Sequence, residues 1–133
     1  MSISFKLVSQ RGSEVQSQAD YIKVPGQTGE CGIIANHSPS LVQLKPGHIL
    51  VRNGKEQTVY FVKDGLAHIL TDSVTILCSD FELAGNIDQA QAKATLDERR
   101  QQLADTDNDS EKASLTFDIR CAEERLYICE QLL

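Results

Sequence analysis

Alternation of apolar and polar positions dominates the first two-thirds of the chain. Ile3, Phe5 and Leu7 are separated by polar neighbours, the period of a strand with one buried face. Ile22 and Val24 repeat the pattern and stop at Pro25-Gly26. Ile49 and Val51 run into Asn53-Gly54, and Val59 and Phe61 follow. Asn-Gly between two alternating runs predicts a tight hairpin with both central residues at positive φ. Asp64-Gly65 and Thr71-Asp72-Ser73 frame two more runs, Ala67 to Leu70 and Val74 to Cys78. Many short strands with closely spaced turn signals predict a sandwich or barrel.

The segment from Val24 to Gly47, VPGQTGECGIIANHSPSLVQLKPG, breaks the alternation. Gly29, Gly32 and Pro39 punctuate it, and His37 precedes its second apolar run, which ends at Pro46-Gly47. Such punctuation predicts a loop of fixed shape between strands, and loops of fixed shape present surfaces.

The period changes near Gly85. After Asp88 comes QAQAKATLDERRQQLA, free of Gly and Pro and rich in helix formers. Asp105 to Ser110, DTDNDS, is a polar turn whose side chains suit helix capping. A second helix is expected from about Glu111 to the end. Leu115, Ile119, Ala122, Leu126, Cys129 and Leu133 form its heptad-like seam. Ala92, Leu96 and Leu103 form a weaker seam on the first helix, interrupted by Arg99. A short turn between two helices predicts an antiparallel hairpin.

Composition narrows the function. The 133-residue chain has 24% charged and 41% apolar residues, ordinary for a globular domain. Its net charge of −6 argues against nucleic acid and against an anionic membrane surface. MSISFKLVSQ lacks the pattern of a signal peptide, and no run reaches the length of a membrane span. A cytosolic, stromal or matrix location is therefore expected. Cys31, Cys78, Cys121 and Cys129 form no CxxC and are expected to be reduced thiols. His37, His48 and His68 stand at no metal-ligand spacing to them, so no metal is expected.

Together these pieces resemble the epsilon subunit of F-type ATP synthases, called delta in mitochondria. The family's head segment reads VPG–x–x–GELGI–x–x–GH–x–P–L–L–x–x–LKPG. Val24-Pro25-Gly26, Gly29-Glu30, Gly32-Ile33, His37, Pro39, Leu41 and Leu44-Lys45-Pro46-Gly47 match it. Cys31 stands for the usual Leu, Asn36 for the Gly before His37, and Ser40 for a Leu. Tyr60 to Leu70 is similar to the family's YLAVSGGFVEV, with Asp64 at its first Gly, and Val74 to Leu77 matches VTIL.

The resemblance implies an α+β protein by sequence order, in two parts. Residues 1–84 would form a flattened all-β sandwich of about ten strands. Residues 85–133 would form an antiparallel helical hairpin, with helices at about 88–104 and 111–132. It implies a non-catalytic rotor subunit at the foot of the central stalk, linking the gamma subunit to the c-ring and coupling proton flow to ATP synthesis. The location would be peripheral, on the cytoplasmic face of a bacterial inner membrane or its organelle equivalent, without membrane insertion. Gly29, Glu30 and Cys31 would face the c-ring, and His37, Ser38, Pro39 and Leu41 would face gamma. The tail would touch the alpha and beta subunits.

In some bacterial relatives the tail blocks ATP hydrolysis and binds ATP through I(L)DxxRA. Ile87 to Ala92 resembles that motif, with Asp88 in place but Gln91 at the arginine. Of two arginines expected four apart on the second helix, Arg125 has a counterpart and Cys121 occupies the other position. Losing one charge-assisted phosphate contact costs about 1.5–3 kcal/mol. A degenerate site of Asp88, Gln91 and Arg125 with weak or absent ATP binding is expected, and no cofactor. From Asp105 onward only Lys112, Arg120 and Arg125 are cationic, so any block of hydrolysis by the tail should be mild.

Two other classes fit the residues alone. One is a β-sandwich adaptor with a helical interaction tail in another complex. The other is a small enzyme using Cys31 or His37, which would need a second catalytic group at a pocket.

Overall fold

The computed structural model describes residues 2–132. It forms two compact units, Met1–Leu83 and Ala84–Leu133.

The first unit is a ten-stranded sandwich. Its strands are β1 (Ile3–Ser9), β2 (Glu14–Ala19), β3 (Tyr21–Gly26), β4 (Gly29–Ile33), β5 (Ser40–Leu44), β6 (Gly47–Asn53), β7 (Glu56–Val62), β8 (Gly65–Ile69), β9 (Ser73–Cys78) and β10 (Phe81–Leu83). Hydrogen bonds run in the order β10-β7-β6-β3-β5-β8-β9-β1-β2, with β4 added to β3. All pairs are antiparallel except β1 with β9. Inward residues of alternating strands, including Ile3, Phe5, Leu7, Ile22, Val24, Ile49, Ile69, Val74 and Ile76, build one core. Phe5 stacks on Tyr60, and Phe81 meets Tyr60 edge-on.

The segment Val24 to Gly47 differs from the expected loop, because most of it is strand. β3 and β4 form a hairpin in which Gly26 faces Gly29 across the Gln27-Thr28 tip. Pleating opposite β3 satisfies the backbone of Gly29–Ile33, which has little apolar alternation to announce it. The expected Asn53-Gly54 turn also shifts by one residue. Asn53 pairs with Glu56, so Gly54 and Lys55 form the tip. Gly54 alone has positive φ, at 64°, the requirement of a turn with glycine at its first central position. Asp20 Oδ2 accepts from the Gly54 N–H at 2.7 Å.

β3 carries the bend between layers. It pairs with β6 over Tyr21–Lys23 and meets β5 only at Gly26. A strand that changes partners makes the corner of a sandwich. The corner is tight, since a Cβ on Gly47 would lie 2.6 Å from Pro25 Cβ and 3.1 Å from its Cγ.

The second unit holds α1 (Gln89–Asp105) and α2 (Asp109–Tyr127), followed by a π-helical turn at Ile128–Leu132. α2 begins two residues before the expected Glu111 because Asn108 caps it, accepting from the N–H groups of Ser110 and Glu111. Leu96, Ile119 and Ala122 form the hairpin core, backed by Leu103 and Leu126. Leu115 and Cys129 are only half-buried, while Cys121 and Ile128 are buried one position off the expected seam. α2 thus buries a wider arc than a seam for one partner helix. Leu133, the last expected seam position, lies outside the described residues. Arg99 sits on the α1 seam with its Nε 3.5 Å from Asp118, and Arg100 reaches Glu123 at 3.8 Å.

Two stability outcomes follow from this packing. Gly47→Ala drives a methyl into the rigid Pro25 ring and should destabilise the head by about 1–3 kcal/mol, read as a lower urea midpoint with unchanged slope. His48 on β6 is 7% exposed. Burial first, then the Lys23 ammonium, lowers its pKa below 6.5 against a smaller opposing effect of Glu30. The fold therefore favours neutral His48. Its contribution is complete above about pH 6.5 and is lost as pH falls below that value, where the unfolded chain takes up the proton. Urea midpoints measured from pH 8 to 5 should fall more steeply for the parent chain than for His48→Gln.

Candidate docking surface

The hairpin tip is held by close backbone approach. A Cβ on Gly26 would lie 2.6 Å from the Gly29 carbonyl oxygen, so the chain can cross here only without a side chain. The Gln27 N–H donates to the Gln43 carbonyl and the Lys45 N–H to the Pro25 carbonyl, tying the tip to the end of β5 and the residue that follows it. Glu30 projects from this tip with its side chain 60% exposed, and the Lys23 ammonium lies 3.6 Å from its carboxylate. Gly29 is exposed beside it. Cys31 faces Val24, is half-buried, and packs against the head core.

The second group of expected residues lies on the β4–β5 connection and β5. Asn36 adopts φ 67°, a conformation that asparagine tolerates better than most residues; its N–H donates to the Thr71 carbonyl at 2.7 Å. The following His37 uses its ring Nδ1–H to donate to the Ser38 carbonyl at 2.7 Å. The imidazole thus serves its own loop backbone. Ser38 and Pro39 are exposed, and Leu41 is 65% exposed. The two groups are reached along one strand. The tip joins β5 near Gln43, and Leu41 stands two residues earlier.

Register extends the second group beyond what the sequence reading named. Leu41 lies opposite His68, Gln43 opposite Leu66, Leu66 opposite Leu77, and Leu77 beside Val8. Paired residues share a sheet face, so Leu41, Leu66, Leu77 and Val8 share the outer one. Leu77 is 54% exposed and Leu66 41%. The signal was present in LAHIL and VTILC, whose runs carry apolar residues at both inward and outward positions, with the leucines outward. A strand with two apolar faces needs a cover on each.

Among the described residues the Cys31 thiol has no hydrogen-bond partner, and the His37 ring is engaged with the loop backbone. The buried Cys78 thiol is pushed up to about 11, by burial first and then by Asp64 and Asp80, and stays protonated. No group of three or more metal-capable side chains gathers among the described residues.

In the second unit Asp88 is the N-cap of α1, its Oδ1 accepting from the Gln91 N–H at 3.0 Å. Gln91 is exposed, and Arg125 is half-buried in the last turn of α2. Asp88 and Gln91 are joined through a backbone bond, which is a capping arrangement.

Comparison with known proteins agrees with this architecture. The sequence model of the ATP synthase delta/epsilon chain β-sandwich domain matches residues 2–84. The ATP synthase epsilon chain of Syntrophobacter fumaroxidans is 32% identical over 129 residues, 97% of this chain and 96% of that protein. The Acidithiobacillus ferridurans epsilon chain is 39% identical over 94 residues, 71% of this chain and 67% of that protein. The chloroplastic epsilon chain of Pyropia yezoensis is 32% identical, covering 95% of this chain and 94% of that one. In fold, a chain of the Euglena gracilis mitochondrial ATP synthase, from a structure of its OSCP, F1 and c-ring, superposes with TM-score 0.84. It shares 23% identity over 92% of this chain and 78% of that one. With a head matched throughout by the family's β-sandwich model and relatives that align over nearly the full length, the chain belongs to the ATP synthase delta/epsilon chain family.

Proposed function

We propose that this chain is the central-stalk subunit of the F1 sector of a proton-translocating ATP synthase, joining gamma to the c-ring and passing torque between them. One observation carries the reading. The Gly26–Glu30 tip and the Leu41–Leu66–Leu77 face are two exposed patches connected through β5, suited to contact with other proteins. Glu30 meets the polar loops of the c-ring, with Gly29 and Cys31 shaping the turn. His37, Ser38, Pro39 and Leu41 meet gamma. The subunit is non-catalytic and peripheral, on the side of the membrane where F1 stands. No helix among its described residues is long and apolar enough to cross a membrane.

The hairpin regulates hydrolysis weakly at most. Asp88 is engaged as a helix cap, and Gln91 and Cys121 stand where phosphate-binding arginines would be needed. An acid-rich tail also repels acidic surfaces of the beta subunit.

Cross-linking tests the docking. In the assembled enzyme, Glu30→Cys should form a disulfide with a cysteine engineered into the polar loop of subunit c. Glu56→Cys, at the opposite end of the sheet, should not. Absence of any Glu30→Cys product across the engineered c-loop positions would refute the assignment. For the tail, calorimetry on the isolated chain should show no saturable heat with sub-millimolar ATP. Truncation after residue 87 should raise ATP hydrolysis only mildly. Saturable binding, or a large rise in hydrolysis, would overturn the corresponding half of this reading.

A further inference from the structure

The outer face of β8 and β9 ends at a carboxylate that the docking contacts above leave unused. Asp64 precedes β8, and Ser79 follows β9. The Ser79 N–H and hydroxyl both donate to Asp64 Oδ1, at 3.1 and 2.9 Å. These bonds fix the carboxylate at the end of the Leu66–Leu77–Val8 row, beside a groove lined by Val8, Gln10, Asp64, Leu66, Leu77 and Ser79. Asp64 Oδ2 has no hydrogen-bond or ion-pair partner among the described residues. The neighbouring Asp80 differs, because Arg11 lies 3.6 Å from it.

A partner that covers Leu66 and Leu77 also takes water away from Asp64. Covering an ionised carboxylate without a counter-charge is strongly unfavourable. We infer that this groove receives a segment of gamma bearing an apolar side chain against Leu66 and Leu77 and a lysine or arginine against Asp64. The inference rests on the gamma-docking reading. It makes Asp64 a partner-specificity residue of this chain. Two bonds from Ser79 hold Oδ1, so Oδ2 is the oxygen offered to the cation.

Binding of the full chain to an F1 core assembled without this subunit tests it, at low and high salt. Leu77→Glu should weaken binding about 10-fold or more, because it places a charge in the apolar contact. Asp64→Asn keeps an oxygen for Ser79 and removes only the charge. It should weaken binding about 2- to 10-fold at low salt, act mainly on the association rate, and lose its effect at high salt. If Leu77→Glu weakens binding while Asp64→Asn leaves affinity and salt dependence unchanged, the cation is absent and this inference fails alone. If Leu77→Glu also has no effect, the outer face does not dock gamma and both readings fail. An Asp64→Asn loss that persists undiminished in high salt would assign the effect to packing and overturn the charge pairing.

Discussion

The head depends on the close passage of β3 across β6. Pro25 has no N–H to give to a ladder, and Gly47 has no side chain to block the proline ring, so the strands approach to a distance that any Cβ would forbid. At that point β3 leaves β6, and its next backbone bonds go to the β5 segment, through Gln27 to Gln43 and Lys45 to Pro25. One bend therefore sets three things. It folds the sheet into two layers over the core, it aims the β3–β4 tip, and it fixes the start of the β5–β8–β9 face. Neither docking patch has its own supporting scaffold.

The sequence revealed the elements in which one physical signal dominated. β1 alternates cleanly because it buries one face in the shared core, whereas β6 and β7 bury consecutive residues, Gly47–Val51 and Val59–Val62, and are framed by their turn signals, as are β8 and β9 with apolar residues on both faces. β2 was invisible, since Val15 is the sole apolar residue before Ala19 in Glu14–Ala19; its pairing with β1 places it, and pairing leaves no compositional trace. β4 and β5 were hidden by their glycines, prolines and serines, which mark turns but here lie within or beside ladders. The helices were legible from propensity, and their limits depended on which polar residue caps each one. Asn108, in the middle of DTDNDS, caps α2 rather than a residue at the edge of the turn. The docking tip was readable from Val24 to Gly47 as a pattern, whereas the outer leucine face and the Asp64–Ser79 pair required register. Sequence separation hides that Leu66, Leu77 and Val8 are neighbours.

The ionic groups at the docking patches are weak stabilisers and strong orienters. An exposed pair such as Lys23–Glu30 contributes about 0–1 kcal/mol to stability, too little to matter beside the core. Its effect is directional, because it holds the carboxylate of an exposed residue near the start of β4. Lys23 acts inward as well, through its charge on buried His48. Asp64 is held differently, by neutral donors on Ser79, which fix its position without neutralising it. A carboxylate fixed by a lysine meets its partner with much of its charge already answered. One fixed by a hydroxyl and an amide keeps its full demand for a cation.

The hairpin follows the opposite economy. Its core is short, Leu96 and Ile119 with the small Ala122, and α1 spends a seam position on Arg99. Arg99 can lie there because its long stem covers apolar surface while its charged end reaches Asp118. The cross-helix ion pairs are exposed and add little. Such a unit opens locally at lower cost than the sandwich does, because fewer apolar side chains hold it shut. Low cost alone does not make a switch, since a switch needs a second surface that the opened helices prefer. The acid-rich second helix limits that surface to one that is neutral or basic, and the requirement falls on the partner's charge rather than on the hairpin's own stability.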